Sequence, residues 1–144
     1  MFSKACEYGI RGMLYIARKS TENARVGIRE ISKAIDAPEP FMAKILQDLS
    51  RQGLVLSIKG PNGGFFMEVK HLRNSLADVV TAIDGDDLFK GCGLGLKACN
   101  ERKPCPIHFE FKAIRSNLKS MLESTALEEF TENLDKGLFY LKRV

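Results

Sequence analysis

The feature that most constrains the fold is a helical pattern that runs directly into two short β-prone segments. In "PFMAKILQDLSRQG", Phe41, Ile45, Leu46 and Leu49 recur at the spacing of one helix face, and Gly53 suits the position just after a helix end. The β-prone residues 54–58 and 65–69 follow, separated by the turn-rich "KGPNGG". This order predicts a helix beside a β-hairpin with an exposed tip.

Two further helical patterns precede this unit. Residues 3–19 show the apolar periodicity of one buried face, with Ser3 as a candidate N-cap, and residues 27–35 predict a short second helix. Pro38 separates the second helix from the third. Helix, short helix, helix and hairpin in that order predict a winged helix-turn-helix domain, whose third helix enters the major groove of DNA. We assign this domain to residues 1–73.

The second half of the chain predicts helices on either side of a loop. Residues 75–84 form a short apolar stripe, and a long helix is predicted from Pro106 to about Ser124. A 3.5-residue repeat runs through Ile107, Phe111, Ile114, Leu118 and Met121. That spacing fits a helix pair across a dimer axis and equally a helix that faces its own core. The predicted fold class is mainly α with a small β-hairpin wing, and residues 74–144 carry a cysteine loop and dimerisation helices.

The charge of the chain is unevenly distributed. The net charge is +4, and residues 1–73 hold 12 Lys and Arg against 7 Asp and Glu. This excess fits a solvated surface or one that faces nucleic-acid phosphates. No run approaches eighteen apolar residues and the N-terminus lacks a signal-peptide core, so we expect a cytoplasmic protein without a membrane partner.

The basic residues of the predicted domain lie where such a domain meets DNA. Arg29 and Lys33 fall on the second helix, Lys44 on the third and Lys59 at the hairpin tip. Each basic residue alone is explained as a solvated surface residue, so the prediction rests on their joint position in one motif. Met42 suits the core as well as a DNA contact. The candidate DNA contacts are Arg29, Lys33, Met42, Ala43, Lys44, Lys59, Gly60, Pro61, Asn62 and Gly63.

The segment "GCGLGLKACNERKPCPIH" gathers Cys92, Cys99, Cys105 and His108. In a reducing compartment, clustered thiols favour metal or redox chemistry over disulfides, and thiolate with imidazole suits zinc or iron–sulfur centres. The spacings are wide for structural zinc. A nucleophilic Cys105 with His108 as base, and a loop with incidental cysteines, are the alternatives. Spacing alone does not choose between metal binding and these alternatives.

Three motifs together resemble one family. "CEYGIRGMLYIA", "ILQDLSRQGLVLSIKGPNGGFFM" and the cysteine triplet are similar to the first helix, the recognition helix with its wing, and the cluster loop of the IscR/NsrR-like Rrf family of winged-helix iron–sulfur transcription regulators. The resemblance covers nearly the whole chain. It implies a homodimer that binds a partly palindromic double-stranded DNA operator. We expect a transcriptional regulator acting as a repressor and not an enzyme. IscR-like members carry a glutamate that tunes operator choice at the position of Ala43. Their operator sequences therefore cannot be assigned to this chain.

The resemblance also implies an iron–sulfur cluster held by Cys92, Cys99 and Cys105, through which the regulator senses redox state, nitric oxide or iron–sulfur status. His108 would be the fourth ligand of a [2Fe–2S] cluster, as in IscR-like members. Glu7 from the partner subunit would complete a [4Fe–4S] cluster, as in NsrR-like members. We favour His108 and [2Fe–2S], because one loop then supplies every ligand. The alternatives are a metal-free or zinc-stabilised winged-helix regulator and, less favoured, a thiol enzyme that uses Cys105 and His108.

Overall fold

Three helices form the N-terminal part of the computed structural model, which describes residues 1–143 and leaves Val144 outside. They are α1 (Lys4–Thr21), α2 (Ile28–Ile35) and α3 (Glu39–Arg51). Ser3 caps α1 as predicted, since its Oγ accepts a hydrogen bond from the Cys6 amide at 3.0 Å. All three predicted helices are confirmed.

The hairpin is shorter than the sequence pattern predicted. Strands β1 (Leu56–Ile58) and β2 (Gly64–Phe66) pair antiparallel. Val26 adds a bridge beside β2, with its amide 3.0 Å from the Phe65 carbonyl oxygen. Gly64 has φ +139°, and a Cβ there would lie 2.8 Å from the Val26 carbonyl oxygen. Glycine is therefore required at this position by the fold itself.

The predicted extension of the second strand to residue 69 is wrong, because a short helix, α4 (Val69–Leu72), begins there. The Glu68 amide donates to His71 Nδ1 at 3.0 Å, and the Glu68 side chain accepts from the His71 amide in return. This reciprocal cap stabilises a helical turn where β-propensity predicted a strand. His71 is almost completely buried.

The second half contains α5 (Leu76–Asp84), α6 (Asp87–Lys90) and α7 (His108–Ser124). A 3₁₀ turn at Leu127–Phe130 and α8 (Thr131–Asp135) follow. The long helix begins at His108 rather than at Pro106, and α6 is too short to leave a periodic pattern in the sequence. No helix within residues 1–143 is both long and apolar enough to cross a bilayer.

Helix α1 lies at the centre of the core. A Cβ at Gly9 would lie 2.2 Å from Ile83 of α5, and one at Gly12 would lie 2.7 Å from Met42 of α3, so both glycines permit close helix packing. Core side chains come from both sides of the predicted boundary at residue 73. The fully buried members include Met13, Ile16, Ile31, Ile35, Leu46, Leu49, Val55, Val79, Val80, Leu122 and Leu127.

The C-terminal segment returns to the first two helices. Arg11 of α1 donates to the Ile35 carbonyl oxygen at 2.7 Å and to the Leu141 carbonyl oxygen at 3.3 Å. Arg18 pairs with Asp135 at 2.7 Å. The end of the chain is thereby fastened against the helix-turn-helix unit, a contact that the sequence pattern left undetermined.

Candidate functional site

Helix α3 has one buried and one exposed face. Lys44 and Gln47 are exposed, whereas Ile45 and Leu46 lie in the core. Met42 is fully buried against Gly12, so its side chain belongs to the core and not to the candidate DNA contacts. Ala43 is half-buried.

Phe41 departs from its predicted position on the inner face of α3. Its side chain is 58% exposed, and its ring centroid lies 6.4 Å from that of Tyr8. Met42 takes the inner position instead, because the buried residues step by three, one and three from Met42 to Leu49. The sequence pattern was ambiguous by one residue here.

The remaining candidate DNA contacts lie on α2 and the wing. Arg29 and Lys33 are exposed and four residues apart, which puts them on one side of α2. At the hairpin tip, Lys59, Gly60, Pro61 and Asn62 are exposed and Gly63 is half-buried. A Cβ at Gly63 would lie 2.0 Å from the Ile58 carbonyl oxygen, so the tip requires glycine for its own turn.

A groove separates α3 from the wing. It has a volume of about 480 Å³. Its lining residues are Gln47, Ser50, Arg51, Ser57, Lys59 and Phe65. The groove is rich in hydrogen-bond donors, and Gln47 is a residue type that pairs with adenine edges in the major groove. Gln47 was missed by sequence reasoning, which considered only residues 42–44 of the third helix.

Arg25 is a second residue that the sequence analysis missed. Its guanidinium lies 5.1 Å from the Phe66 ring centroid and donates to the Asn62 carbonyl oxygen at 3.4 Å. It is exposed at the base of the wing. The only sequence signal was a basic residue directly before Val26, whose pairing with the hairpin the pattern did not reveal.

The cysteine loop brings its four candidate ligands together as two pairs. Cys99 Sγ lies 3.4 Å from His108 Nδ1, and the Cys105 thiol lies near enough to the Cys92 thiol to help lower its pKa. Across residues 1–143, no three His, Cys, Asp or Glu side chains are close enough to hold one metal ion together. All four cysteines are present as free thiols.

The Cys92–Cys105 pair contains a thiol with a lowered pKa. Backbone amides of Leu94 and Leu96 donate to Cys92, and with Cys105 they hold the pKa of the Cys92 thiol below its ordinary value. Stabilising the thiolate is a property that a metal ligand shares with a reactive cysteine. The loop backbone therefore prepares Cys92 for ligation or for redox chemistry.

The Cys99–His108 pair lies against α7. His108 is the first residue of α7 and is only 4% exposed, and its Nε2 has no hydrogen-bond partner within residues 1–143. Arg115 lies seven positions after His108 on α7 and is half-buried. It donates to the Gly91 carbonyl oxygen, and its Nη1 lies 3.6 Å from Cys99 Sγ. A buried imidazole nitrogen without a partner destabilises the folded protein unless a hydrogen bond or a bound ligand satisfies it.

These residues fit an iron–sulfur cluster by the chemistry of their donors. Three thiols and one imidazole are donors that iron–sulfur clusters take, and the buried His108 Nε2 is left without a partner within residues 1–143 while His108 Nδ1 contacts Cys99. Loop residues 93–98, between the first two cysteines, are exposed and lie outside the buried core.

The fourth cysteine and the alternative ligand Glu7 both lie on α1. Cys6 is fully buried, and burial together with the Asp84 carboxylate raises its pKa to about 12, so it is a core thiol. Glu7, the alternative fourth ligand, has a half-exposed side chain paired with Lys4 at 3.3 Å. It does not lie with the loop cysteines of its own chain.

Comparison with known proteins finds similar transcriptional regulators. The chain is 27% identical over 145 residues to a protein of Aquifex aeolicus assigned to the helix-turn-helix type of transcriptional regulator, covering 99% of each chain. It is 28% identical to the transcriptional regulator IscR of Xenorhabdus nematophila, over 88% of this chain and 76% of that one. CymR, the global cysteine regulator of B. subtilis, has the same fold, with a TM-score of 0.73, 22% identity and coverage of 92% and 96%.

The family model described as an iron-dependent transcriptional regulator matches residues 2–133. These residues contain the helix-turn-helix unit, the wing, the cysteine loop and the whole of α7. Transcription regulation and not enzymatic catalysis is the role of this family. The chain therefore belongs to the Rrf2 family of winged-helix transcriptional regulators.

Proposed function

We propose that this regulator works as a homodimer whose cysteine loop holds an iron–sulfur cluster through Cys92, Cys99, Cys105 and His108. The observation that carries the proposal is the position of His108, whose buried Nε2 has no partner within residues 1–143 and whose Nδ1 lies 3.4 Å from Cys99 Sγ. Ligation would satisfy Nε2. We favour the [2Fe–2S] type, because a histidine-containing ligand set from one loop fits it.

The DNA-facing surface is proposed to be α2, the outer face of α3 and the wing. Its support is that the basic residues are exposed together while the opposite face of each helix is buried. To the sequence candidates we add Gln47 and Arg25, and we remove Met42. The proposed contacts are Arg25, Arg29, Lys33, Ala43, Lys44, Gln47, Lys59, Gly60, Pro61, Asn62 and Gly63.

The dimer interface is proposed to include an apolar row that starts at Ile107, the N-cap of α7, and continues along the helix. Ile107, Ile114 and Met121 are spaced seven residues apart and are 38%, 57% and 49% exposed. Phe111 and Leu118 of the same predicted seam are half-buried, and Leu118 packs on the core. One helix thus faces its own core and a partner at the same time, which combines the two interpretations that the 3.5-residue repeat allowed.

This arrangement supports a link between the loop and DNA affinity. The loop contacts α7 directly, and α7 packs on α5, which packs on α1 and α3. When bound, an iron–sulfur cluster supplies a centre that exchanges electrons and reacts with small oxidants. Ligation would draw Cys92 and Cys105 towards the contact of Cys99 and His108 on α7, and loss of the cluster would loosen the loop. The spacing of the two α3 helices in a dimer would change with it. The expected location is the cytoplasm, and repression is the expected mode.

Anaerobic purification tests the proposal. We expect visible iron–sulfide absorption with about two iron and two sulfide per chain for the [2Fe–2S] type. Replacing Glu7 by Gln should leave this content unchanged, whereas a Glu7-dependent cluster with about four iron per chain would favour the [4Fe–4S] alternative. A chain that stays colourless after anaerobic reconstitution would contradict the proposal.

One observation favours a second candidate, a metal-free or zinc-stabilised regulator. The four ligands lie in two pairs, and Cys92 with its lowered pKa faces Cys105. Two adjacent thiols can respond to oxidation without a metal. Metal analysis separates the candidates, since stoichiometric zinc or no metal at all, with full DNA binding, would support this second function.

A further inference from the structure

The cysteine loop is attached to α7 at several points besides the Cys99–His108 contact. Gly93 lies so close to the Phe111 ring that a Cβ would be 2.8 Å from it. Glu101 of the loop pairs with Lys112 of α7 in an exposed ion pair. These contacts are individually weak, because one is a van der Waals contact and the other is exposed to solvent. They do not by themselves fix the position of the sulfur atoms.

Arg115 makes a different kind of contact. Its Nη1 donates to the Gly91 carbonyl oxygen, and Nη1 and Nη2 lie 3.6 Å and 3.7 Å from Cys99 Sγ. Gly91 directly precedes Cys92 in the chain. One side chain therefore contacts the backbone beside the first cysteine and the sulfur of the second, from a position two turns after His108 on the same face of α7.

The geometry of the guanidinium suits this double contact. It is planar, permanently charged and carries five donors in a fixed fork, so it can serve a carbonyl oxygen and a sulfur at once. The half-buried position of Arg115 limits the competition of water for these donors. Lysine would keep the charge but not the fork.

We propose that Arg115 is a positioning residue of the cluster site, which holds the Cys99 sulfur on α7 and donates hydrogen bonds to it when it is a ligand. The assignment rests on the proposed function, because it gives Cys99 a ligating role. Hydrogen bonds to ligating sulfurs raise the reduction potential of an iron–sulfur centre, and outer residues of this kind secure the ligands themselves. Arg115 also joins the loop to the helix that we propose forms the dimer.

The test uses Arg115→Gln and Arg115→Lys, with Lys119→Gln as the matched control. Lys119 lies one turn further along α7 and pairs with Glu123 of the same helix, at 3.7 Å, so its loss removes a charge without touching the loop. Circular dichroism checks that every variant remains folded. Arg115→Lys tests whether charge alone is enough, since it retains the charge without the fork.

The first readout is tryptic cleavage of the metal-free protein after Lys97 and Arg102, which lie in the loop. We expect Arg115→Gln to be cut about tenfold faster than wild type, because a charged hydrogen bond is lost. The second readout is the loaded protein. Arg115→Gln should have a more negative reduction potential and lose iron to a chelator about 10 to 100 times faster, with Arg115→Lys in between.

The possible outcomes separate the two proposals. A wild type that loads a cluster, together with Arg115→Gln that matches wild type in cleavage, potential and iron loss, would overturn the role of Arg115 alone. A wild type that never loads a cluster would overturn the proposed function, and the positioning role with it. Equal changes in Lys119→Gln would show a general charge effect and would also count against Arg115.

Discussion

The winged part of the molecule and the cysteine loop are held in place by different forces. Residues 1–73 contribute most of the fully buried side chains, which interlock around α1. The loop exposes Leu94 and Leu96, 54% and 57% accessible, and is held to α7 by polar contacts. The winged part is therefore held by its own buried core, whereas the loop relies on a few polar contacts that the proposed ligation would reinforce.

The largest expected difference concerns core and loop leucines. Leu46→Ala should lower the free energy of unfolding by about 2–5 kcal/mol, because it opens a cavity beneath α3. Leu96→Ala should change it by less than about 0.5 kcal/mol, because the loop side chain is already in water. Urea denaturation of the metal-free protein measures both. Equal effects would break the distinction between scaffold and loop.

Cysteine variants sharpen the same comparison. Cys99→Ala should abolish cluster retention and leave the unfolding free energy of the metal-free chain within about 0.5 kcal/mol of wild type. Cys6→Ala should do the reverse, keeping the cluster and losing on the order of 1 kcal/mol, because that thiol is packed in the core. Iron content and urea denaturation are the measurements. A Cys99→Ala protein with a full cluster would contradict the ligand assignment.

A smaller effect is expected at the wing. Lys59→Gln should weaken DNA binding and reduce the slope of log affinity against log salt by about one, because one phosphate contact is lost. Lys119→Gln on α7 is the control and should leave the slope unchanged. Fluorescence anisotropy at several salt concentrations gives both slopes. An unchanged slope for Lys59→Gln would remove Lys59 from the interface.

The smallest effect is a pH dependence within the winged part. Burial is the main cause that lowers the pKa of His71 in the folded protein below its unfolded value near 6.5. The unfolded chain therefore binds the extra proton first, and stability should fall as pH decreases from about 6.5 towards the folded pKa. Protonation would also take Nδ1 from the Glu68 amide. His71→Gln should flatten this part of the stability profile, and a profile identical to wild type would exclude His71 as its source.

Helix periodicity and turn chemistry were enough to predict the winged part. Three helices, the hairpin and the Ser3 cap follow from local signals that extend over a whole helix face or turn. Errors arose where the signal was short. Helix α4 depends on the reciprocal cap between Glu68 and His71, and Phe41 and Met42 exchange roles because neighbouring positions are hard to separate near the start of a helix.

The site was less predictable than the fold. The sequence identified the cysteines and His108 through residue type and resemblance, but the pairing of Cys99 with His108 and of Cys92 with Cys105 depends on the path of the loop. Arg115 was missed because nothing in its local sequence distinguishes it from a solvated helix residue. Only the tertiary contact between α7 and the loop reveals it.

We propose that ligation in the loop sets the affinity of the winged scaffold for DNA. The most direct test selects a DNA fragment with the loaded protein, then titrates that fragment with loaded and stripped forms of the same preparation under anaerobic conditions. We predict that the dissociation constants differ at least about tenfold, within the usual range of coupling between two sites, and that Cys99→Ala matches the stripped form. Equal affinities of the loaded and stripped forms would contradict the account.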